Sequence, residues 1–166
     1  NRYRGAASLA LNGALASGTG SVSAFLPDSV SPGLWKTHPE VLLLGDLNTF
    51  QNGYSDFSRV LADVELTRFD SILIGPGLGF AEEKDCFGSA LQNFKGLLIL
   101  DADAINRLSI TSKGWGWLND RKGPTWLTPH LDEFKRLFPF IDGSNPLKAG
   151  IEAAKICNSS VLLKCA

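Results

Sequence analysis

Hydrophobic residues in this chain fall into short contiguous runs more often than they alternate with polar residues. The run Ile72-Leu73-Ile74 is the clearest example, and it opens directly into a glycine-rich stretch. Contiguous apolar residues are typical of a strand that is covered on both faces within a parallel sheet. The pattern predicts strands over residues 21–26, 41–44, 72–74, 97–100, 125–127 and 160–163.

Segments with helical character separate most of these strands. The first is rich in alanine and leucine and stops at Gly18, and the last begins at Pro146. Helices are predicted over residues 5–17, 56–64, 81–94, 104–108, 131–138 and 146–158, and a loop with two prolines over residues 28–39. Alternation of strands and helices predicts an α/β sandwich with a largely parallel sheet in one domain.

The sequence GPGLG at residues 75–79 follows the predicted strand 72–74 and holds three glycines in five residues. Glycine lets the backbone take a positive φ or lets a ligand approach the backbone N–H groups closely. A tight strand-to-helix turn with no ligand would use the same residues. A single glycine-rich turn does not separate these two interpretations.

Polar residues also follow the other predicted strands. In open parallel sheets, ligands bind outside the carboxyl ends of the strands, where the loops into the following helices meet. Asp101 and Asp103 follow one strand, Thr128 and His130 follow another, and Lys164 ends the last. These residues therefore predict a binding cleft at the carboxyl edge of the sheet.

Each of these side chains has a structural and a functional interpretation. Asp101 and Asp103 could hold Mg²⁺ through water, bind a hydroxyl group, or cap the next helix, with Asp101 the better placed to face the cleft. His130 could bond a polar ligand or cap its own turn. Lys164 suits an anionic partner such as a phosphate, or lies exposed at the chain end.

The composition excludes several classes of function. The net charge is −1 and the lysines and arginines are scattered, which disfavours nucleic acid and anionic membranes as partners. No run of apolar residues is long enough to span a membrane. The cysteines Cys86, Cys157 and Cys165 form no CxxC pair, and His38 and His130 lie far from them. We therefore expect no disulfide framework and no structural metal, and a cytoplasmic location.

The two ends of the chain carry further expectations. Basic residues precede an alanine-rich segment at the amino terminus, but Ser8, Asn12 and Gly13 interrupt it too early for a signal peptide. The chain contains no methionine, even at position 1. We expect it to be a piece of a longer protein, and to form a single incomplete domain over residues 1–166.

Five motifs occur in an order that resembles the ADP/ATP-dependent NAD(P)H-hydrate dehydratase family. They are YRGAA at residues 3–7, GPGLG at 75–79, LDADAIN at 100–106, TPHLDEF at 128–134 and LLKCA at 162–166. The resemblance covers almost the whole chain. It implies a ribokinase-like three-layer α/β sandwich with a mostly parallel central sheet, here truncated.

The same resemblance implies an activity and a set of contacts. Members of the family remove water from the hydrated nicotinamide ring of NADHX and NADPHX at the expense of ADP or ATP, with Mg²⁺ as helper and electrostatic positioning of the phosphoryl group. By position, Ala6, Gly79 and His130 would contact the hydrated dinucleotide, with Gly77 and Asp101 beside them. Lys164 would hold the phosphates of the adenine nucleotide. A homo-oligomer and an epimerase domain fused in the parent protein are implied as well.

Three departures from the family pattern bear on this site. Leu131 and Asp132 stand where the family has proline and glycine, which alters the backbone after His130, and Cys165 replaces the glycine after the lysine. The GTGD segment, whose aspartate acts as general base, does not occur within these residues, so no catalytic residue is assigned. Because a positioned base is worth about 10²–10⁴ in rate, we expect this piece alone to be inactive.

Two other functions fit the same fold. One is a ribokinase-like kinase that phosphorylates the hydroxymethyl group of a vitamin precursor. The other is a non-catalytic nucleotide-binding module, which Asp132 and Cys165 would permit. A GTGD segment in the parent protein would favour the dehydratase, and its loss would favour the binding module.

Overall fold

The computed structural model describes residues 5–27, 30–47, 49–50, 53–54, 60–61, 63–79, 88–110 and 114–165. The helices are α1 (Ala6–Ala16), α2 (Ser31–Thr37), α3 (Gly88–Asn93), α4 (Asp103–Ile110), α5 (Leu131–Leu137) and α6 (Pro146–Ile156). The strands are β1 (Val22–Pro27), β2 (Val41–Leu47), β3 (Thr49–Phe50), β4 (Gly53–Tyr54), β5 (Ser71–Ile74), β6 (Leu97–Leu100), β7 (Thr125–Leu127) and β8 (Ser160–Val161). Short 3₁₀ turns span Leu66–Arg68 and Gly116–Asp120.

The larger sheet contains β5, β6, β7 and β8 in sequence order, and all three pairings are parallel. Connections between neighbouring parallel strands are right-handed in almost all proteins, so α3, α4, α5 and α6 belong on the same face. On that face the register aligns Ile74, Leu100 and Leu127, and all three are buried in the main core. The prediction of an α/β fold with a parallel sheet is confirmed.

The opposite face of this sheet corrects one expectation. Leu73 and Trp126, which flank Ile99 in the register, are 45% and 47% exposed. The contiguous run at 72–74 therefore does not mark a strand that the described residues cover on both faces. The physical reason is topological, because strands in simple sequence order place every crossover helix on one face.

The amino-terminal part forms a smaller layer. Strands β1 and β2 pair in parallel and pack with α1 and α2 around Leu11, Leu26, Leu34 and Val41. Helix α2 contradicts the predicted loop over residues 28–39. Pro32 stands in the first turn of the helix, where its missing N–H leaves no intrahelical bond unmade.

Other element predictions agree with the structure to within a few residues, except that β2 runs on to Leu47 and β8 ends at Val161. The segment 48–55 contains the antiparallel pair β3 and β4. Most of the predicted helix over 56–64 and residues 81–87 of the next one lie outside the described residues. Among the helices that are described, none has the length and apolar character needed to cross a bilayer.

The amino edge of the large sheet is closed by one buried arginine. Arg121 is 8% exposed and donates to the Thr125 hydroxyl at 2.8 Å, to the Gly96 carbonyl at 3.1 Å and to the Pro124 carbonyl at 3.2 Å. It also donates to the carbonyl of Leu91 in the last turn of α3. A cation there complements the negative end of the helix dipole. Burial lowers the pKa of Arg121, yet an arginine stays charged at neutral pH.

Candidate functional site

The turn after β5 needs glycine for steric reasons. Gly75, Gly77 and Gly79 have φ values of +131°, +73° and +74°, which L side chains rarely adopt. A Cβ on Gly75 would lie 1.7 Å from the carbonyl oxygen of Asp101. The glycine turn (residues 75–79) therefore packs directly against the end of β6, where the motif LDADAIN begins.

Helix α4 holds the far end of this turn. Asp103 Oδ2 accepts from the Gly79 N–H at 2.7 Å. Arg107 Nε donates to the Gly79 carbonyl at 2.9 Å, and Nη2 donates to the Leu78 carbonyl at 3.1 Å. Both backbone groups of Gly79 are thus engaged within the protein. Arg107 was not among the predicted site residues, although an arginine between the apolar Ile105 and Leu108 of a helix indicates buried partners.

A second polar cluster joins the ends of β6, β7 and β8. Asp101 Oδ1 accepts from the Thr128 hydroxyl at 2.8 Å and from the Lys164 ammonium at 2.7 Å. The side chains of Lys164 and Asp101 are 46% and 27% exposed, so a solute can reach the pair. Lys164 therefore has a carboxylate partner within the chain, and it remains open to an anion from solvent.

His130 lies beside this cluster and begins α5. Its Nδ1 accepts from the backbone N–H groups of Asp132 and Glu133, while the Glu133 carboxylate accepts from the His130 N–H at 2.9 Å. With Nδ1 an acceptor, the neutral ring carries its proton on Nε2, which lies 3.2 Å from Glu133 Oε1. His130 is thus a helix cap, which was the structural alternative predicted for it, and its half-exposed ring still faces solvent.

Backbone pairing sets the distance between His130 and Lys164. The Lys164 N–H donates to the Pro129 carbonyl at 2.8 Å, and residues 130 and 164 form an isolated parallel bridge. The structure therefore brings together Asp101, His130 and Lys164, as the clustering of polar residues at strand ends predicts. The glycine turn adjoins them through its contact with Asp101.

Ala6 occupies a different position, at the first turn of α1. An apolar groove of about 290 Å³ lies between α1, β1 and β5, and its lining includes Ala7, Leu11, Phe25, Gly75 and Pro76. The groove extends from Ala7, the neighbour of Ala6, to Gly75 and Pro76 of the glycine turn. Within the described part of the chain, no group of three or more His, Cys, Asp or Glu side chains is arranged to hold a metal ion.

A statistical model of a protein family described as NAD(P)H-hydrate dehydratase matches residues 1–166 of this sequence. The chain belongs to the NAD(P)H-hydrate dehydratase family. Proteins from Synechocystis and Gloeobacter violaceus, both named bifunctional NAD(P)H-hydrate repair enzyme, are 38% and 34% identical to it over 163 residues. Those matches cover 98% of this chain and 30% of each relative.

Solved structures agree with the family. The ADP/ATP-dependent NAD(P)H-hydrate dehydratase from Bacillus subtilis, co-crystallised with ATP and Mg²⁺ and soaked with CoA, matches with a TM-score of 0.72 at 26% identity. That match covers 99% of this chain and 56% of the Bacillus chain. A ribokinase-like superfamily protein from Enterococcus faecalis, 23% identical over 99% of this chain and 54% of its own, has a TM-score of 0.69 and shows the fold alone. The predicted ribokinase-like class is confirmed.

Proposed function

We propose that the protein carrying this chain dehydrates NADHX and NADPHX to NADH and NADPH at the expense of ADP or ATP. The observation that carries the proposal is the carboxyl edge of the large sheet, where a glycine turn lies against Asp101 and Asp101 binds Lys164. Membership of the family and the match to the Bacillus dehydratase support it.

The site divides into a nucleotide end and a dinucleotide end. Lys164 has a half-exposed ammonium group that suits the phosphates of ADP or ATP, and its pairing with Asp101 keeps the side chain over the edge of the sheet. Gly77, Gly79, Asp101 and His130 would contact the hydrated ring, and Ala6, at the start of α1 beside the groove, would contact it as well. In the proposed reaction the terminal phosphoryl group passes from ATP or ADP to the oxygen of the ring hydroxyl, the hydroxyl proton is released, and ADP or AMP leaves. Phosphate then leaves with that oxygen as the ring loses a proton.

Magnesium fits this arrangement as part of the nucleotide. A nucleotide-bound Mg²⁺ takes most of its oxygen ligands from phosphates and water and needs one or two carboxylates from the protein. Asp101 supplies a partly exposed carboxylate beside Lys164, and would hold such a complex through water. Bound there, the ion would neutralise charge on the phosphates.

The decisive assay mixes the full-length protein with NADHX and either ADP or ATP and follows NADH by its absorbance. We expect nucleotide-dependent NADH formation with release of one phosphate per turnover. Binding of both ligands without turnover would contradict the proposed activity and favour the non-catalytic module. Nucleotide-dependent phosphorylation of a hydroxymethyl vitamin precursor, with NADHX left intact, would favour the rival kinase.

Three expectations about the whole protein stay predictions. They are a cytoplasmic location, a homo-oligomer, and an epimerase domain fused to this one. The word bifunctional in the names of the Synechocystis and Gloeobacter relatives supports a second activity in those proteins. Size measurement of the full-length protein and an assay of NADHX epimerisation would test the last two.

A further inference from the structure

The two polar backbone groups of Gly79 are both bonded to side chains of α4. Its N–H donates to Asp103 and its carbonyl accepts from Arg107, at 2.7 and 2.9 Å. A ligand therefore finds no uncommitted N–H at this residue. What Gly79 offers is a backbone surface without a side chain, in a conformation with φ of +74°.

Asp103 and Arg107 are one helical turn apart, so their side chains leave α4 on the same face. Arg107 is 1% exposed, and it reaches the carbonyls of two consecutive turn residues, Leu78 and Gly79. Hydrogen bonds from a charged donor in a buried site are among the stronger ones in proteins. The pair thus fixes the end of the glycine turn to a helix that is itself packed in the main core.

We propose that Asp103 and Arg107 are positioning residues that hold the glycine turn in the shape that receives the hydrated dinucleotide. The inference rests on the proposed function, and it assigns a role in that function to two side chains that touch Gly79 rather than the ligand. The proposed role concerns the dinucleotide end of the site, because Asp103 contacts the glycine turn. Lys164, at the nucleotide end, is bonded to Asp101 instead.

Three variants of the full-length protein test this role. Asp103→Ala removes the acceptor for the Gly79 N–H, whereas Asp103→Asn keeps an oxygen there and removes only the charge. Arg107→Lys keeps the charge but loses the planar fork that reaches two carbonyls. Arg121→Lys is the matched control, because it makes the same chemical change in a buried arginine that binds carbonyls at the other edge of the sheet.

We expect Asp103→Ala and Arg107→Lys to raise KM for NADHX by about tenfold or more, the scale of a lost charge-assisted hydrogen bond. KM for ADP or ATP should change by less than about twofold, since those bonds do not reach Lys164. Asp103→Asn should restore most of the NADHX affinity. Arg121→Lys should lower the melting temperature and leave both KM values as in the wild type.

A structural readout separates this inference from the proposed function. Amide hydrogen exchange at Gly79 should speed up in Asp103→Ala and stay slow in Asp103→Asn, whether or not the protein turns over NADHX. An inactive wild type with that exchange pattern would overturn the function and leave the pair as a purely structural device, which overturns the positioning role as well. An active wild type whose variants keep the original KM for NADHX would overturn the positioning role alone.

Discussion

The two edges of the large sheet each contain a buried arginine, and the two arginines bind different parts of the backbone. At the amino edge, Arg121 bonds one hydroxyl and three backbone carbonyls, among them those of Gly96 and Pro124 just before β6 and β7. At the carboxyl edge, Arg107 bonds the glycine turn, while Asp101 and Lys164 nearby stay open to solvent.

This difference indicates that the amino edge of the sheet contributes mainly to stability and that the carboxyl edge contributes to ligand binding as well. Glycines pack tightly at both edges, since a Cβ on Gly75 or on Gly123 would meet backbone oxygen at 1.7 or 2.5 Å. At the carboxyl edge, Asp101 and Lys164 add a solvent-accessible ion pair beside the glycine turn. Damage to the amino edge should therefore lower stability, and damage to the carboxyl edge should lower binding as well.

Gly75→Ala should give the largest effect, because it combines a backbone clash with a φ that alanine rarely adopts. The free energy of unfolding should fall by about 4 kcal/mol, from strain and overpacking together, and NADHX binding should be lost. Chemical denaturation measures the loss of stability, and an NADHX titration measures the loss of binding.

The control is Gly123→Ala, whose Cβ would meet the oxygens of Lys95 and Gly96 without a positive φ. It should destabilise the protein by about 2 kcal/mol while leaving the KM for NADHX unchanged. Equal effects on NADHX binding would contradict the contrast between edges.

Arg121→Met should be next in size. It removes the donor to several buried acceptors, so we expect a loss of about 3 kcal/mol in the free energy of unfolding, measured by urea denaturation. Under conditions in which the variant is folded, its KM values for NADHX and for ADP or ATP should match those of the wild type. A loss below about 1 kcal/mol would show that water replaces the guanidinium and that this edge is not closed.

Lys164→Ala should weaken binding of the nucleotide and leave the stability of the fold almost unchanged. An exposed ion pair contributes about 0–1 kcal/mol to stability, whereas the lost charge-assisted bond to a phosphate should raise the KM for ADP or ATP about tenfold or more. Lys155→Ala, an exposed lysine in the last turn of α6 at the amino edge, is the control and should leave that KM unchanged. A wild-type nucleotide KM in Lys164→Ala would remove Lys164 from the proposed site.

Substitution of Cys157 should give the smallest effect, a change in how the free energy of unfolding depends on pH. The thiol is buried at the end of α6, and burial raises its pKa. An unfolded thiol ionises near pH 8.5, so above that pH the unfolded state binds fewer protons than the folded one, and stability falls by up to about 1.4 kcal/mol per pH unit until the folded pKa is reached. Cys157→Ala should flatten the alkaline part of the stability profile, whereas Cys165→Ala, at an exposed thiol, should not. Identical slopes in all three proteins would contradict the assignment.

Much of the fold follows from local patterns. The strands β6 and β7 occupy the predicted residues, because Gly96 and Asp101 bound the first segment and Pro124 precedes the second. Helix α2 could not be predicted in the same way, since Pro32 and Gly33 usually interrupt helices and only packing against β2 makes the short helix stable. The exposed sheet face at Leu73 and Trp126 could not be predicted from local patterns either, because strand order decides which face the helices cover.

For the site, the order of residues along the chain was enough to predict which residue types stand at the strand ends, and five motifs were enough to indicate the family. The pairing of these residues became clear from the folded structure. Lys164 and Asp101 are 63 positions apart along the chain and Gly79 and Asp103 are 24 apart, yet each pair is in hydrogen-bond contact. Hydrogen bonds of this kind depend on strand order and register, which a linear pattern does not encode. For that reason Arg107, whose partners lie 28 and 29 positions away, emerged as part of the site only from the folded chain.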